Sequence, residues 1–276
     1  MKPILKWVGG KRQLLNEILP LIPPHSRYFE PFFGGGAVGF ALADRFPHRE
    51  VTIGDANPEL VNFYKIVRNC PDEFLQVIQN YQEDHCEEFY LKVRSLDRGN
   101  GFASLSRFSR AVRFYYLVKC GFNGLWRVNS KGQNNVPYGG DKPAGWNIID
   151  VENFTAVSQA LQSWNICQGD FQETIADATD GDLVYLDPPY IPVSPTASFT
   201  AYSKGGFGEL EQRRLADCLH ALTSRNIKFI LSNSDTPLSR SLYDCYFIHE
   251  VKAKRSINSD GSKRGAVGEL LVTNFR

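Results

Sequence analysis

No stretch of the 276-residue chain approaches the roughly 20 consecutive apolar residues that a membrane helix needs. The first turns are broken by Pro3, Gly9 and Gly10 and carry Lys2, Lys6, Lys11 and Arg12, which is not the make-up of a signal peptide. The six cysteines (Cys70, Cys86, Cys120, Cys167, Cys218 and Cys245) contain no Cys-x-x-Cys, and the five histidines form no His-x-x-x-His pair. The expectation is therefore no metal site and a reduced, cytoplasmic chain. There are no repeats and no low-complexity segments. Net charge is also scarce, only +1. Its distribution is uneven, however. Lys92 to Lys142 holds ten Lys/Arg against Asp97 and Asp141, and Lys252 to Arg264 holds five against Asp260. The remainder is acidic. Two basic segments on an acidic protein point to a polyanionic partner, although either segment alone reads as a solvated face.

What is present is a β-α-β-α rhythm. Tyr28 to Phe33 leads into Gly34-Gly35-Gly36-Ala37-Val38-Gly39 and a helix to about Arg45. Val51 to Asp55 reads as a second strand. Asn57-Pro58 supplies an N-cap and a proline at the first helical position, so a helix follows to about Arg68. From about Cys70 to Trp146 the pattern changes. Arg107 to Val118 has helical apolar spacing, and Gly121 to Gly145 is rich in Gly, Asn and Pro. This stretch reads as an inserted, mostly helical subdomain. The α/β pattern then resumes, with strands at Trp164–Gly169, Leu183–Leu186 and Phe229–Leu231 and a helix at Glu209–Ser224. Ile191 to Gly208 has the length and place of an active-site lid. Tyr246–Ala253 and Ala266–Asn274 read as two closing strands.

The strand Leu183–Leu186 runs into Asp187-Pro188-Pro189-Tyr190. Proline has no N–H and stops a strand. What remains at the strand end is a carboxylate, carbonyls and a ring. That set can accept hydrogen bonds from an amino group while stacking on a flat base. A rigid turn is the plainer reading of Asp-Pro-Pro alone.

Gly34-x-Gly36-x-x-Gly39 matches the dinucleotide fingerprint, and Asp55 lies 19 residues beyond Gly36, where a ribose-binding acid is expected. A nicotinamide-dependent dehydrogenase and a purely structural turn both stay open at this point. Three features favour S-adenosylmethionine. Phe32 precedes the turn. Asp170-Phe171 ends another strand, offering an acid for an adenine amino group and a ring for its face. Lys6-Trp7-Val8-Gly9-Gly10-Lys11 offers flexible backbone, a ring and cations for a ligand carboxylate. Trp7 as a core residue and Lys11 as a surface lysine are the plain alternatives.

With Lys6–Lys11, Phe32–Gly36, Asp55, Asp170-Phe171 and Asp187–Tyr190 in this order, the chain resembles the Dam family of DNA adenine methyltransferases. The likeness extends through Phe122–Asn129, Asn135–Gly139, Phe199–Tyr202 and Ser232–Ser234, and so covers essentially the whole chain. It is greatest to the Dam-like, DpnII-type members of restriction-modification systems. The resemblance implies an α/β, Rossmann-like S-adenosylmethionine-dependent methyltransferase fold with a seven-stranded mixed sheet. Residues 1–69 and 147–276 would form the catalytic domain and residues 70–146 the target-recognition insertion, in the motif order of the α group. The implied reaction is methyl transfer from S-adenosylmethionine to N6 of a flipped adenine in double-stranded DNA, at GATC. Cytosine N4 remains an alternative acceptor, because it needs the same amino-group partners.

By that resemblance Asp187, Pro188, Pro189 and Tyr190 are catalytic. Trp7, Gly9, Lys11, Phe32, Gly34, Gly36, Asp55, Asp170, Phe171 and Asp187 bind the cofactor. Lys6, Phe122, Asn123, Leu125, Arg127, Asn129, Pro137 and Tyr138 meet DNA in the recognition region. Lys252, Lys254, Arg255, Lys263 and Arg264 hold phosphate. Phe122 is the candidate to fill the gap left by the flipped base, with a core aromatic as the alternative, and Arg127 the candidate to read guanine. The expected state is a monomer in a prokaryotic or phage-infected cell.

Overall fold

The computed structural model describes residues 1–47, 49–191, 206–254 and 266–276. The first helix is short, α1 (Leu15–Ile18), and follows a 3-10 turn at Lys11–Leu14. Strand β1 (Arg27–Glu30) passes through the glycine turn into α2 (Ala37–Arg45). Then come β2 (Glu50–Asp55) and α3 (Pro58–Asn69). The Asn57 side chain caps α3, accepting from the amides of Glu59 (3.0 Å) and Leu60 (3.4 Å), as an N-cap before proline should. Three further helices follow: α4 (Pro71–Glu83), α5 (Glu87–Ser95) and α6 (Arg107–Cys120). An irregular segment leads to α7 (Val151–Leu161) and β3 (Asn165–Gln168). The short α8 (Phe171–Thr174) precedes β4 (Leu183–Leu186). The chain closes with α9 (Glu209–Ser224), β5 (Lys228–Ser234), α10 (Pro237–Leu242), β6 (Phe247–Lys254) and β7 (Ala266–Thr273).

The strands form one seven-stranded sheet in the order β3-β2-β1-β4-β5-β7-β6. The first five are parallel, while β7 pairs antiparallel with both β5 and β6. The expected α/β fold with a seven-stranded mixed sheet is thus present. Side-chain alternation divides the buried residues between the two faces. Tyr28, Tyr185, Val51, Ile53 and Ile230 face the larger core, with α3, α6 and α7. Phe29, Val184, Leu186, Phe229 and Leu231 face the smaller one, under α9 and α10. Every residue of β4 is buried, as befits a central parallel strand covered on both sides.

Helices α4 to α6 share the larger core instead of packing on their own. The Phe63 ring of α3 stacks on Tyr115 of α6 (5.6 Å, 18° between planes), and Phe74 of α4 stacks on Phe154 of α7 (5.4 Å, 10°). The segment after α6 is tied to these helices by polar groups. Arg113, buried in α6, donates to Asp97 Oδ2 (2.6 Å), and the same oxygen accepts the Asn134 amide (2.7 Å). Arg94 and Tyr90 both donate to the Val136 carbonyl, at 2.8 and 3.1 Å. Among the described residues no helix is long and apolar enough to cross a membrane. Nor does any group of His, Cys, Asp and Glu side chains among them suit a metal ion.

Candidate active site

The strand order reverses direction at β1 and β4, the neighbours from which the chain winds outward both ways. In such a sheet the crevice at the carboxyl ends of these two strands is the natural ligand site. β1 ends there in the glycine turn and β4 in Asp187.

The turn needs its glycines. Gly34 and Gly36 have φ of +50° and +72°, in the left-handed region that side chains disfavour. The Gly34 amide donates to Asp55 Oδ2 (3.0 Å) and its carbonyl accepts from Tyr64 (3.0 Å). Asp55 Oδ1 takes the Asn57 amide (2.9 Å). Burial nevertheless pushes the Asp55 carboxyl up to about 6, and the two amides only moderate it. Trp7 is half-buried and lies on this turn: a Cβ added at Gly34 would stand 2.9 Å from its ring. Phe32 stacks on Phe171 (5.3 Å, 27°), and Phe207 abuts both rings. This is an aromatic shelf at the ends of β1 and β3.

Asp170, beside that shelf, is not free. Arg214 of α9 grips both its oxygens (3.0 and 2.6 Å) and lies over the Phe171 ring. Asp170 Oδ1 also caps α8 through the Gln172 amide (3.0 Å). The Arg214 and amide hydrogen bonds outweigh the cost of burial and hold this carboxyl below its usual range. An acid held twice over is a poorer partner for a ligand amino group than sequence alone suggests.

At the end of β4 the carbonyls of the two prolines differ. The Pro189 carbonyl accepts from Gln212 Nε2 (2.8 Å), and Gln212 is held in turn by Asn233 (3.0 Å). Asn233 Oδ1 also takes the Ile191 amide (3.3 Å), and Ser234 donates to the Ile191 carbonyl (2.6 Å). Buried polar groups of β5 and α9 thus brace the turn. The Pro188 carbonyl takes no hydrogen bond from the described residues. Asp187 pairs with Lys11 Nζ (2.7 Å). Burial raises its carboxyl to about 6 even so, with Lys11 pulling the other way. The Tyr190 hydroxyl donates to Glu269 of β7 (2.6 Å), which fixes the ring. Glu30, buried under the turn, accepts from Tyr28 (2.9 Å); burial lifts its pKa well above the usual carboxylate range, with the Tyr28 hydrogen bond pulling the other way.

The recognition candidates gather on one irregular segment. Phe122 is 49% exposed, so it is not a core residue. Asn123 has φ +56°, a strained position for a side-chain-bearing residue. Arg127 is exposed, with its fork docked on Asn135 (Nε to Oδ1, 2.7 Å; Nη2 to the carbonyl, 3.3 Å). Asn129 shapes its own turn, accepting the amides of Lys131 and Gln133 at 3.0 Å each. Pro137 is exposed and its carbonyl takes the Phe122 amide (3.0 Å); Leu125 is half-buried. Half-buried Tyr138 rests between His85 (3.3 Å) and Asp141 (3.3 Å). Lys6 is exposed, and its backbone lies against Gly124, where an added Cβ would meet the Lys6 carbonyl at 2.6 Å. Lys252 is exposed on β6, and Lys254 ends that strand. Arg255, Lys263 and Arg264 fall outside the described residues, as do Phe199–Tyr202 and most of the expected lid.

Sequence reading missed the support of this site: Glu269, Gln212, Glu30 and Arg214. No local signal marks Glu269, Gln212 or Arg214. Glu30 has one hint, Glu30-Pro31 at the end of β1, an acid where a buried strand stops.

The chain as a whole resembles known proteins. Residues 7–257 match the profile of the D12 class of N6 adenine-specific DNA methyltransferases. The chain is 43% identical to the type II methyltransferase M1.LlaDCHI of Lactococcus lactis subsp. cremoris, over 100% of this chain and 96% of that one. It is 38% identical to the type II methyltransferase M.MjaIII of Methanocaldococcus jannaschii, over 100% and 99%. With the DNA adenine methylase of Escherichia coli K12 it shares 37% identity, over 98% and 94%.

Proposed function

As the chain belongs to the D12 class of N6 adenine-specific DNA methyltransferases, and so methylates adenine N6 in DNA, we propose that it does so at GATC, with S-adenosylmethionine as donor and the target base flipped out. Membership of this class sets aside the nicotinamide reading of the glycine turn and the cytosine alternative.

The residues present fit the donor. The glycine turn lets backbone come close to a ligand, Asp55 has lone pairs left for a ribose diol, and the Phe32–Phe171 shelf offers a face for adenine. When bound, S-adenosylmethionine supplies a methyl group on a sulfonium centre. The protein's share is to present the acceptor. An adenine amino nitrogen is a poor nucleophile, because its lone pair is delocalised into the ring. Asp187 accepts one of its N–H hydrogens and the Pro188 carbonyl the other, which favours a pyramidal nitrogen with its lone pair directed at the methyl. Positive charge grows on that nitrogen during transfer, so both acceptors strengthen in the transition state. Tyr190 stacks on the base. A paired adenine cannot adopt this pose, so the base leaves the helix at a cost of roughly a few kcal/mol, with exposed Phe122 as the wedge or filler.

Residues 1–69 and 147–276 then act as the catalytic domain and 70–146 as the recognition region. The observation that carries the reading is the inequality of the two proline carbonyls: Gln212 occupies Pro189, while Pro188, beside Asp187 and Tyr190 in the chain, takes no hydrogen bond from the described residues. The test is methylation of duplexes with labelled S-adenosylmethionine, followed by nucleoside analysis. N6-methyladenine should appear in a GATC duplex and not in a permuted one. Equal labelling of the permuted duplex would overturn the site, and no labelling of either would overturn the donor.

Arg127 carries a second expectation. Its guanidinium matches the O6/N7 edge of guanine. Arg127→Ala should relax discrimination at one base pair of the site by about 1–3 kcal/mol. Competition among duplexes carrying single base-pair changes measures this. Uniform weakening across all of them would make Arg127 a phosphate contact instead.

A further inference from the structure

Lys11 is buried, with only 7% of its side chain exposed. Its ammonium donates to Asp187 Oδ1 (2.7 Å) and to the Gly9 carbonyl (2.8 Å), and it sits 4.5 Å from the centroid of the Tyr190 ring. Asp187 and Tyr190 are the two side chains assigned above to the target base, one to its amino group and one to its face. A single nitrogen of the protein thus engages both. We propose that Lys11 is the resident occupant of the target-amino subsite: its ammonium stands where the adenine N6 group must go, and the carboxylate of a bound donor draws it away. This inference rests on the donor and base-flipping reading above.

The chemistry of the two nitrogens is matched. The ammonium donates N–H to a carboxylate and presents positive charge to a ring face, a favourable arrangement. The N6 nitrogen donates to the same carboxylate and becomes cationic as it is methylated. A pocket that holds one is suited to the other, and Asp187 Oδ1 and the Tyr190 ring face cannot serve both at once. Lys11 is free to leave because only its side chain must move. Its backbone begins the 3-10 turn Lys11–Leu14, pinned by buried Leu14, whereas four rotatable bonds carry the ammonium. It also has a destination. S-adenosylmethionine ends in a carboxylate, an anion that competes with Asp187 for the same cation. Once the lysine has moved, the Asp187 oxygen is exposed to the base. The donor then binds before the base is inserted, and a base is not held in a pocket that lacks a methyl group to give it.

A lysine with a purely structural role behaves differently: losing it disturbs Asp187 equally with and without donor. The experiment uses a GATC duplex with 8-vinyladenine at the target position, a base that keeps the 6-amino group and whose fluorescence rises when it unstacks. S-adenosylhomocysteine, which keeps the carboxylate and lacks the methyl, stands in for the donor. Wild type should give a small rise alone and a several-fold larger one with S-adenosylhomocysteine. Lys11→Met should give the full rise without it. If wild type binds the duplex yet shows no rise in either state, base flipping itself fails, and the inference falls with it. If S-adenosylhomocysteine raises the signal but Lys11→Met without it stays at the wild-type basal level, the inference alone is overturned. A full rise from wild type without ligand would overturn it too, and that result does not depend on the variant folding.

Discussion

Asp187→Ala should lower methyl transfer on the order of 10³-fold, the scale of losing one preorganised polar partner of a transition state, while the protein still binds duplex DNA. The reason is geometric. Asp187 stands at the end of β4, and the neighbouring Pro189 carbonyl is already committed to Gln212. No other side-chain acceptor among the described residues at this strand end is free to replace the carboxylate. Single-turnover methylation with a saturating donor reads the chemical step, and anisotropy reads binding. Near-normal turnover in the variant would defeat the assignment, and loss of binding in proportion to turnover would make Asp187 a structural residue.

The same group sets a pH dependence. Asp187 is the stronger acceptor of an N–H, and the better partner for growing positive charge, when ionised, and burial has raised its pKa to about 6. A raised carboxyl is protonated below that value, so kcat/KM should fall as the pH drops through about 6 and level off above it. Asp55 titrates in the same window. The acid limb should therefore be steeper than one proton requires, and Asp55→Asn should return it to first order. A flat profile from pH 5 to 8 would contradict the role given to both acids.

Gly36→Ala is the substitution expected to harm the fold most. Its φ of +72° costs a side-chain-bearing residue roughly 1–2 kcal/mol. The new methyl would also stand 2.3 Å from Phe33 Cζ and 2.6 Å from Phe40 Cε2. Those rings cannot yield easily. Phe33 meets Phe40, Tyr64 and Trp164 edge-on, and Phe40 stacks on Trp164. Overpacking of this kind adds roughly 1–3 kcal/mol. The total, about 2–5 kcal/mol, should appear as a lower midpoint in denaturant unfolding, accompanied by loss of donor binding. Gly9→Ala is the control. Gly9 has φ +79° but no atom within 4 Å of its would-be Cβ, so only the backbone cost applies. Equal midpoints for the two variants would show that the ring cluster is not the constraint.

Much of this fold could be read from the sequence because its signals are local. Asn57-Pro58 marks the start of α3 and Leu183–Leu186 shows itself as an apolar run, whereas the seven-stranded mixed sheet is implied only by the family resemblance. The glycines of the turn after β1 are where a left-handed backbone needs them. Helix α10 escaped notice, although Thr236 and Ser239 form a capping box at its start. What stayed hidden is pairing at long range. Lys11 meets Asp187, Asp170 meets Arg214, and Tyr190 meets Glu269 across 79 residues. No periodicity encodes such partners. Asp170 shows the consequence. Sequence sees an acid at a strand end, and only the structure shows that an arginine already holds it.

The stretch from Leu5 to Lys11 touches three places at once. The Lys6 carbonyl lies under Gly124, Trp7 covers Gly34 and Gly35, and Lys11 reaches Asp187. It is a strap across parts that the chain order keeps far apart. This limits how the protein can be recombined. A chimaera that imports residues 70–146 from a relative of different specificity would set a foreign turn against the native Lys6 backbone, and any misfit would pass along the strap to the glycine turn and Asp187. The smallest exchangeable unit is therefore discontinuous, and must carry its own version of residues 5–7 along with the insertion.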